Sequence, residues 1–399
     1  MTLTIHPPAV QLEQPSSASA SASAFYIASK MENLPPELKF IILGFLPKSD
    51  LKSMRLVSKF FTSIASQLLF DKIFVSVRPE DLKIFADISK HPMLSAFVKE
   101  IVYVSVYRLH TRQQTRNLFH SEEGSQLDRV ESEPLDIASD LARMPNIKKV
   151  TFANRRCPPG IGNTLQRRVF YLDSVSSKGP TANDIKECDR GFALMCHALS
   201  ETGTQIQSLV VDHYNLDLFT GPRYRLKQGL CPSTFFSSHH DLHVYCNAFR
   251  HLREVSLCLD DFAPHGETAW TRSRQKKLAR ALSSATELEV LSLGFNFRER
   301  GSLSLVNYLP NTRTWPRLRN LELFNMTTNY PQLKYLIHQH CGPLETLDLE
   351  GISLVGGNWK NAKANLRKES IPRYIFLYDV WDDASSEDDS SSESEYSLT

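Results

Sequence analysis

Three groups of side chains carry the residue types that chemistry uses. His239, His240 and His243 set two imidazoles four residues apart, the spacing that presents two metal ligands on one helical face. No glutamate follows in the order a zinc hydrolase needs, and residues 232–238 read as loop, so no metal is expected there. Cys196 and His197 are sequence neighbours. Adjacent residues of a helix diverge, so they do not make a thiol nucleophile with its base. Gly160 and Gly162 form a GxG fragment without the strand-to-helix setting that cradles phosphate. Neither a GxSxG elbow nor a phosphate-binding lysine loop is present. The chain is therefore expected to catalyse nothing and to need no cofactor. One modifiable set remains. Ser385, Ser386, Ser390 and Ser392 each have an acid three residues on, a context suited to acid-directed kinases, and phosphate there would deepen the local negative charge. A solubilising tail without a specific role is the plainer reading of the same residues.

The bulk properties narrow the classes further. At 399 residues, 41% hydrophobic and 23% charged, the chain has room for two or three soluble domains. Its longest apolar runs, such as Phe40 to Leu46, fall far short of the roughly 20 residues of a membrane helix. The start has neither a basic region before an apolar one nor the arginines of a transit peptide. Asn325-Met326-Thr327 has the glycosylation pattern, yet nothing points to a secretory route. Seven cysteines stand singly, without a CxxC pair, which fits reduced thiols in the cytoplasm or nucleus. The net charge of +2 hides eight acids and no bases between Asp379 and Thr399, leaving +10 on the preceding residues. That excess is read as scattered solvated charge. A nucleic-acid surface would need the bases gathered on one face.

The elements that must position a function begin at Leu34. Pro35 and Pro36 stand where a helix opens, with Glu37 in the first turn near the positive end of the helix dipole. Leu38, Ile41, Ile42 and Phe45 recur at three- and four-residue steps. Gly44 and Pro47 end the run. Ser49 or Asp50 is expected to cap a second helix carrying Leu51, Met54 and Val57. Ser58 is expected to cap a third, with Phe61, Ile64 and Leu68 in line. Three such helices are too small to bury all this apolar surface among themselves, so part of it must meet the rest of the chain or a partner.

This stretch resembles an F-box, the motif by which substrate receptors dock on the Skp adaptor of cullin-type ubiquitin ligases. The resemblance runs without a gap through Leu34, Pro35, Glu37, Leu38, Ile42, Leu43, Leu46, Pro47, Asp50, Leu51, Arg55, Leu56, Val57, Ser58, Lys59, Phe61 and Ile64. Ser58 stands where the family often has cysteine. Phe61 stands where it often has tryptophan, and offers less surface for docking. The resemblance implies that Leu34, Pro35, Leu38, Ile42, Leu46, Leu51 and Val57 bind the adaptor.

Beyond Val77 a second theme appears: apolar, two others, apolar, one other, apolar. Its copies are Val98-Ile101-Tyr103, Ile147-Val150-Phe152, Ile206-Leu209-Val211, Leu252-Val255-Leu257, Leu288-Leu291-Leu293, Leu318-Leu321-Leu323 and Leu344-Leu347-Leu349, with Ile371-Tyr374-Phe376 as an eighth. The last two apolar positions alternate like one face of a strand. Helical spacing falls between copies, as at Leu278 and Leu282 and at Leu333, Leu336 and Ile337. Strand and helix alternating with LxxLxL is the signature of a leucine-rich repeat solenoid with a parallel sheet. The copies from Leu252 to Leu349 resemble the repeats of fungal F-box proteins. Their starts are 49, 59, 46, 36, 30, 26 and 27 residues apart, against about 20 to 29 for regular repeats. The repeat is thus degenerate, lacks an asparagine or cysteine ladder, and carries insertions in its first half. Those insertions, 109–146, 154–205 and 212–251, are candidates for target contact through aromatics such as Phe170, Tyr171, Tyr214, Phe235 and Phe236. The same aromatics are equally compatible with core.

The expected architecture is α/β. Residues 1–29 are expected to form a disordered N-terminal segment, 30–77 a three-helix F-box, 78–378 an irregular leucine-rich-repeat-like solenoid, and 379–399 an acidic Ser-rich disordered tail. The expected function is substrate recognition in a Skp–cullin–F-box ubiquitin ligase, with the Skp adaptor, the cullin scaffold and an unknown target protein as partners, and neither nucleic acid nor membrane. The alternative is an interaction scaffold, outside ubiquitin transfer, whose opening helices cap the solenoid.

Overall fold

The computed structural model describes residues 34–76, 79–104, 137–153, 182–212, 230, 241–259, 271–295, 305–309, 315–340, 344–369, 372–378 and 380–382. The chain divides into two units at Leu69/Phe70.

The first unit holds three helices: α1 (Pro36–Gly44), α2 (Lys48–Val57) and α3 (Lys59–Phe70), whose last residue reaches the second unit. α1 opens on proline as its spacing predicts, and the Lys39 amide bonds back to the Pro35 carbonyl at 3.2 Å. α2 begins earlier than the Ser49/Asp50 cap expected from sequence. Pro47 precedes it without a side-chain cap, and its carbonyl accepts the Asp50 and Leu51 amides at 3.0 and 3.1 Å. A proline fixed near φ −63 pre-sets the helix entry, so the hydroxyl and carboxylate fall inside the first turn. Ser58 is extended, and its Oγ accepts the Phe61 amide at 3.4 Å, the expected cap of α3.

The second unit is built on one all-parallel, nine-stranded sheet in which the strands follow chain order. These are β1 (Lys72–Ser76), β2 (Glu100–Val104), β3 (Lys149–Ala153), β4 (Ser208–Asp212), β5 (Glu254–Leu259), β6 (Val290–Phe295), β7 (Asn320–Phe324), β9 (Thr346–Glu350) and β11 (Tyr374–Tyr378). Three two-residue strands, β8 (Thr327–Thr328), β10 (Ser353–Leu354) and β12 (Trp381–Asp382), form a second parallel sheet just past β7, β9 and β11. Parallel neighbours need crossovers, and helices supply them. They are α4 (Pro79–Lys90), α5 (Pro92–Phe97), α6 (Ile137–Ala142), α7 (Ala182–Thr202), α8 (Asp241–Phe249), α9 (Arg272–Ser283), α10 (Tyr330–His340) and α11 (Trp359–Glu369). A 3-10 turn, Leu305–Asn307, lies between β6 and β7.

Register explains the core. The second and fourth residues of every strand line up across the sheet, from Ile73 and Val75 to Leu347 and Leu349. They are buried beneath the helices with Leu278, Leu282, Leu333, Leu336 and Ile337. In the first half an aromatic row fills the same layer. Tyr103, Phe152, Phe192 and Tyr245 follow one another at centroid distances of 5.7, 5.1 and 6.1 Å. Ahead of the strands a backbone ladder stitches neighbours together. The amides of Lys99, Lys148, Gln207, Arg253, Glu289, Arg319 and Glu345 each donate to the residue that stands ahead of the preceding strand.

Lys72–Ser76, at the end of the segment read from sequence as the F-box, is the first strand of the large sheet and pairs with β2. The stretches read as insertions contain α6, α7 and α8, the ordinary crossover helices before β3, β4 and β5; the aromatics singled out within them lie outside the described residues. The last copy is shifted by one. Ile375 and Leu377 align with Leu347 and Leu349, so Tyr374 and Phe376 belong to the opposite face. A one-residue slip flips every side chain of a strand, and the packing of the partly buried Ile375 and Leu377 against the core decides between the registers.

One rung of an asparagine ladder does exist. Asn325, after β7, sits at φ 52 and donates its side-chain amide to the Phe295 carbonyl at 2.8 Å. Its amide is thus engaged in bridging two neighbouring turns, at the position of the glycosylation pattern. Gly351 occupies the matching place after β9 at φ +65, and a Cβ there would collide with Asn325.

Candidate functional site

The helical unit buries little. Its core is Leu43, Leu51, Phe61 and Ala65, with Leu46, Met54, Ile64, Leu68 and Leu69 packed around them. Thr62 Oγ1 donates to the Arg55 carbonyl at 2.7 Å, tying α3 to the end of α2. The Lys39 stem is buried, and its Nζ lies 3.6 Å from the Phe60 ring centroid, which joins α1 to the start of α3.

The apolar side chains left over face water. Leu38, Ile41, Ile42, Phe45, Leu56, Val57 and Phe60 are all exposed, Phe45 at 84% and Leu56 at 88%. Seven of the thirteen exposed large apolar side chains among the described residues therefore lie between positions 38 and 60. α1 turns Lys39 and Leu43 inward and nearly every other apolar residue outward. Scattered exposed leucines are ordinary, but a concentration on three short helices marks a surface built for a partner.

The residues implicated by sequence separate into two roles. Pro35, Leu38, Ile42 and Val57 are exposed. Leu34 and Leu46 are half-buried, Leu46 against the unit's own core. Leu51 is inside that core, so it supports the face rather than presenting on it. Phe61 is fully buried as well, so its size relative to tryptophan bears on the core and not on docking surface. Phe45, Leu56, Ile41 and Phe60 were not among the implicated residues. The signal for Phe45 was its place in the Leu38-Ile41-Ile42-Phe45 spacing. For Leu56 it was its place directly beside Val57 in the stretch that resembles an F-box.

The other groups sort as follows. His239, His240, Gly160, Gly162 and the four tail serines, Ser385, Ser386, Ser390 and Ser392, lie outside the described residues. His243, on α8, has Nδ1 3.3 Å from the Asn247 amide nitrogen. Among the described residues no three His, Cys, Asp or Glu side chains gather as metal ligands, and no helix is long and apolar enough to cross a membrane. Cys196 is buried while His197 is exposed, so the two diverge; burial pushes the Cys196 thiol well up. Burial also raises Cys246, against the lowering pull of Arg280 and Arg250.

In comparison with known proteins, a family model described as F-box-like matches residues 31–76. The chain thus carries an F-box-like domain, and the match covers the three helices and β1. Domains of this kind generally bind the Skp adaptor, in proteins that are typically non-catalytic substrate adaptors of ubiquitin ligases. No curated protein matches the chain.

Proposed function

We propose that this chain is the substrate-recognition subunit of a Skp–cullin–F-box ubiquitin ligase, acting in the cytoplasm or nucleus. The observation that carries the reading is the exposed apolar face of α1 and α2, within the segment that matches the F-box-like family. Leu34, Pro35, Leu38, Ile42 and Val57 would contact the Skp adaptor, joined by Phe45 and Leu56. Leu46 and Leu51 would hold the helices that present them. The second unit would be a degenerate leucine-rich-repeat solenoid that holds the target. Nine parallel strands in chain order, linked through helices, support that reading.

Such a protein breaks and makes no bonds. Binding adaptor and target at once turns the meeting of target lysine and ubiquitin-carrying enzyme into a tethered encounter with a high effective concentration. Co-purification with the Skp adaptor tests this, comparing the wild type with Leu34→Ala/Pro35→Ala and checking the fold by circular dichroism. Adaptor retained by the wild type and lost by a folded variant is the expected result. A folded wild type that captures no adaptor would leave an interaction scaffold outside ubiquitin transfer.

A further inference from the structure

The large sheet has one face packed under its helices and one face turned away from them. On the outward face the first, third and fifth residues of each strand stand in rows. At the C-terminal end these are Asn320, Glu322 and Phe324 of β7, Thr346, Asp348 and Glu350 of β9, and Tyr374, Phe376 and Tyr378 of β11. Two properties meet there. Tyr374 and Tyr378 are exposed, and the Phe376 and Tyr378 rings stack with centroids 6.4 Å apart and planes within 3°. Beside them Glu322, Asp348 and Glu350 put three carboxylates on two adjacent strands, with no base among the outward positions of β7, β9 and β11.

We propose that this outward face of β7, β9 and β11 docks a lysine- or arginine-bearing segment of the target protein. The proposal rests on the target-receptor reading and names the kind of target. Its chemistry is specific. A long cationic side chain lays its stem along stacked rings, presents its charge to their π-faces, and reaches carboxylates one strand away. The face already receives one such group, because the Arg373 guanidinium carbon lies 5.4 Å from the Tyr374 ring centroid. β11 is also the last strand of the sheet and has β9 as its one partner among the described residues, so an extended segment could run along it. The chain's own tail is the wrong occupant. Residues 383–399 carry six carboxylates and no base, and would be repelled by Glu322, Asp348 and Glu350.

Protonation tunes the face. Asp348 Oδ1 is buried without a hydrogen-bond partner, and the Asp348 carboxyl is pushed up to about 6, by burial first and then by Glu322 of β7 and Glu350 of its own strand. From β11 Asp348 meets the uncharged Phe376, with Arg373 ahead of the strand. A bound cation would restore the charged form, so binding should strengthen as pH rises through about 6.

The test titrates full-length protein with a fluorescent synthetic peptide of alternating arginine and serine, and with the same peptide carrying glutamate for arginine, by fluorescence anisotropy. The arginine peptide should bind and the glutamate peptide should not. Phe376→Ser/Tyr378→Ser should weaken binding about tenfold. Asp348→Asn, which keeps the side-chain shape if the double variant fails to fold, should weaken it and remove the gain with pH. Replacing the carboxylates of residues 383–399 by amides should leave affinity at the wild-type value. Unchanged binding in both face variants, or loss in the tail variant alone, overturns the proposal. Adaptor retention on the same proteins separates the two readings: it should survive every face variant, whether or not the peptide binds.

Discussion

Phe45→Ala combined with Leu56→Ala tests the adaptor face at its two most exposed positions. At 84% and 88% exposure these side chains contribute little to the free chain, so folding stability should move by no more than about 0.5 kcal/mol. On docking the account reverses. Full burial of a leucine or phenylalanine is worth about 1.5–3 kcal/mol, which bounds the pair at about 3–6 kcal/mol. Interfaces concentrate their energy in a few residues, so the lower end is the sounder expectation, a weakening of about a hundredfold. Titration calorimetry with purified Skp adaptor reads this directly, with thermal melts as the control. Leu51→Ala supplies the contrast. It empties a site in a core of four buried apolar side chains, and should cost about 2–5 kcal/mol of fold before it costs docking. Adaptor affinity within about twofold of wild type in a folded Phe45→Ala/Leu56→Ala protein would refute the assignment of this face.

The remaining expectations concern the second unit. The folded-state pKa of Asp348 lies above the ordinary carboxylate value, so the folded chain holds that proton more tightly than the unfolded chain, and stability falls as pH rises from about 4 through about 6. Asp348→Asn should therefore melt higher than wild type near neutral pH and equally near pH 4, by about 1 kcal/mol once solvent screening of a half-exposed group is allowed for; differential scanning calorimetry at both pH values checks it. Gly294→Ala would drive a methyl into the Phe324 ring and carbonyl, and a loss of about 1–3 kcal/mol should appear in thermal melts. Cys196 and Cys258 are buried, so thiol labelling of native protein followed by mass spectrometry should leave both unmodified until denaturant is added.

Much of the sheet was readable because its inward rows are leucine-rich and unambiguous. Leu347 and Leu349, set between Thr346, Asp348 and Glu350, have no apolar neighbour that competes for the same role. Legibility failed at both ends for one reason. Around β1 the motif is Phe70-Ile73-Val75, but Phe74 sits inside it and disguises the alternation. Around β11 the true frame has Pro372 in the first apolar place, while Ile371-Tyr374-Phe376 fits the same template one residue earlier. Hydrophobicity alone cannot choose between a buried Ile375 and an outward Phe376, because outward aromatics score as core. On α1 the same ambiguity left Ile41 and Phe45 out of the implicated face. Leu38, Ile41, Ile42, Leu43 and Phe45 are apolar nearly all round, and only packing shows that Leu43 turns inward while the rest remain exposed.

The register of β11 changes what the acids beside it mean. At several strand starts opposite charges meet: Lys72 bridges Glu100 at 2.9 Å, Arg253 bridges Glu289 at 3.7 Å, and Arg319 bridges Glu345 at 3.9 Å. Opposite signs on neighbouring strands are the arrangement a sheet favours, and like charges there destabilise it. Glu322 and Asp348 face one another across β7 and β9 against that rule, with Glu350 two residues on, and they do so where the outward row turns aromatic. Were Tyr374 and Phe376 core residues, the acids would be an isolated electrostatic fault at a sheet end. With both rings on the outward face, the same residues set carboxylates beside rings that already receive the Arg373 guanidinium and suit a further cation. Local rules are broken most often where a partner supplies the compensation. The stability that Asp348→Asn is expected to gain and the affinity it is expected to lose would then have a single origin, a carboxylate held half-buried beside Glu322 and Glu350.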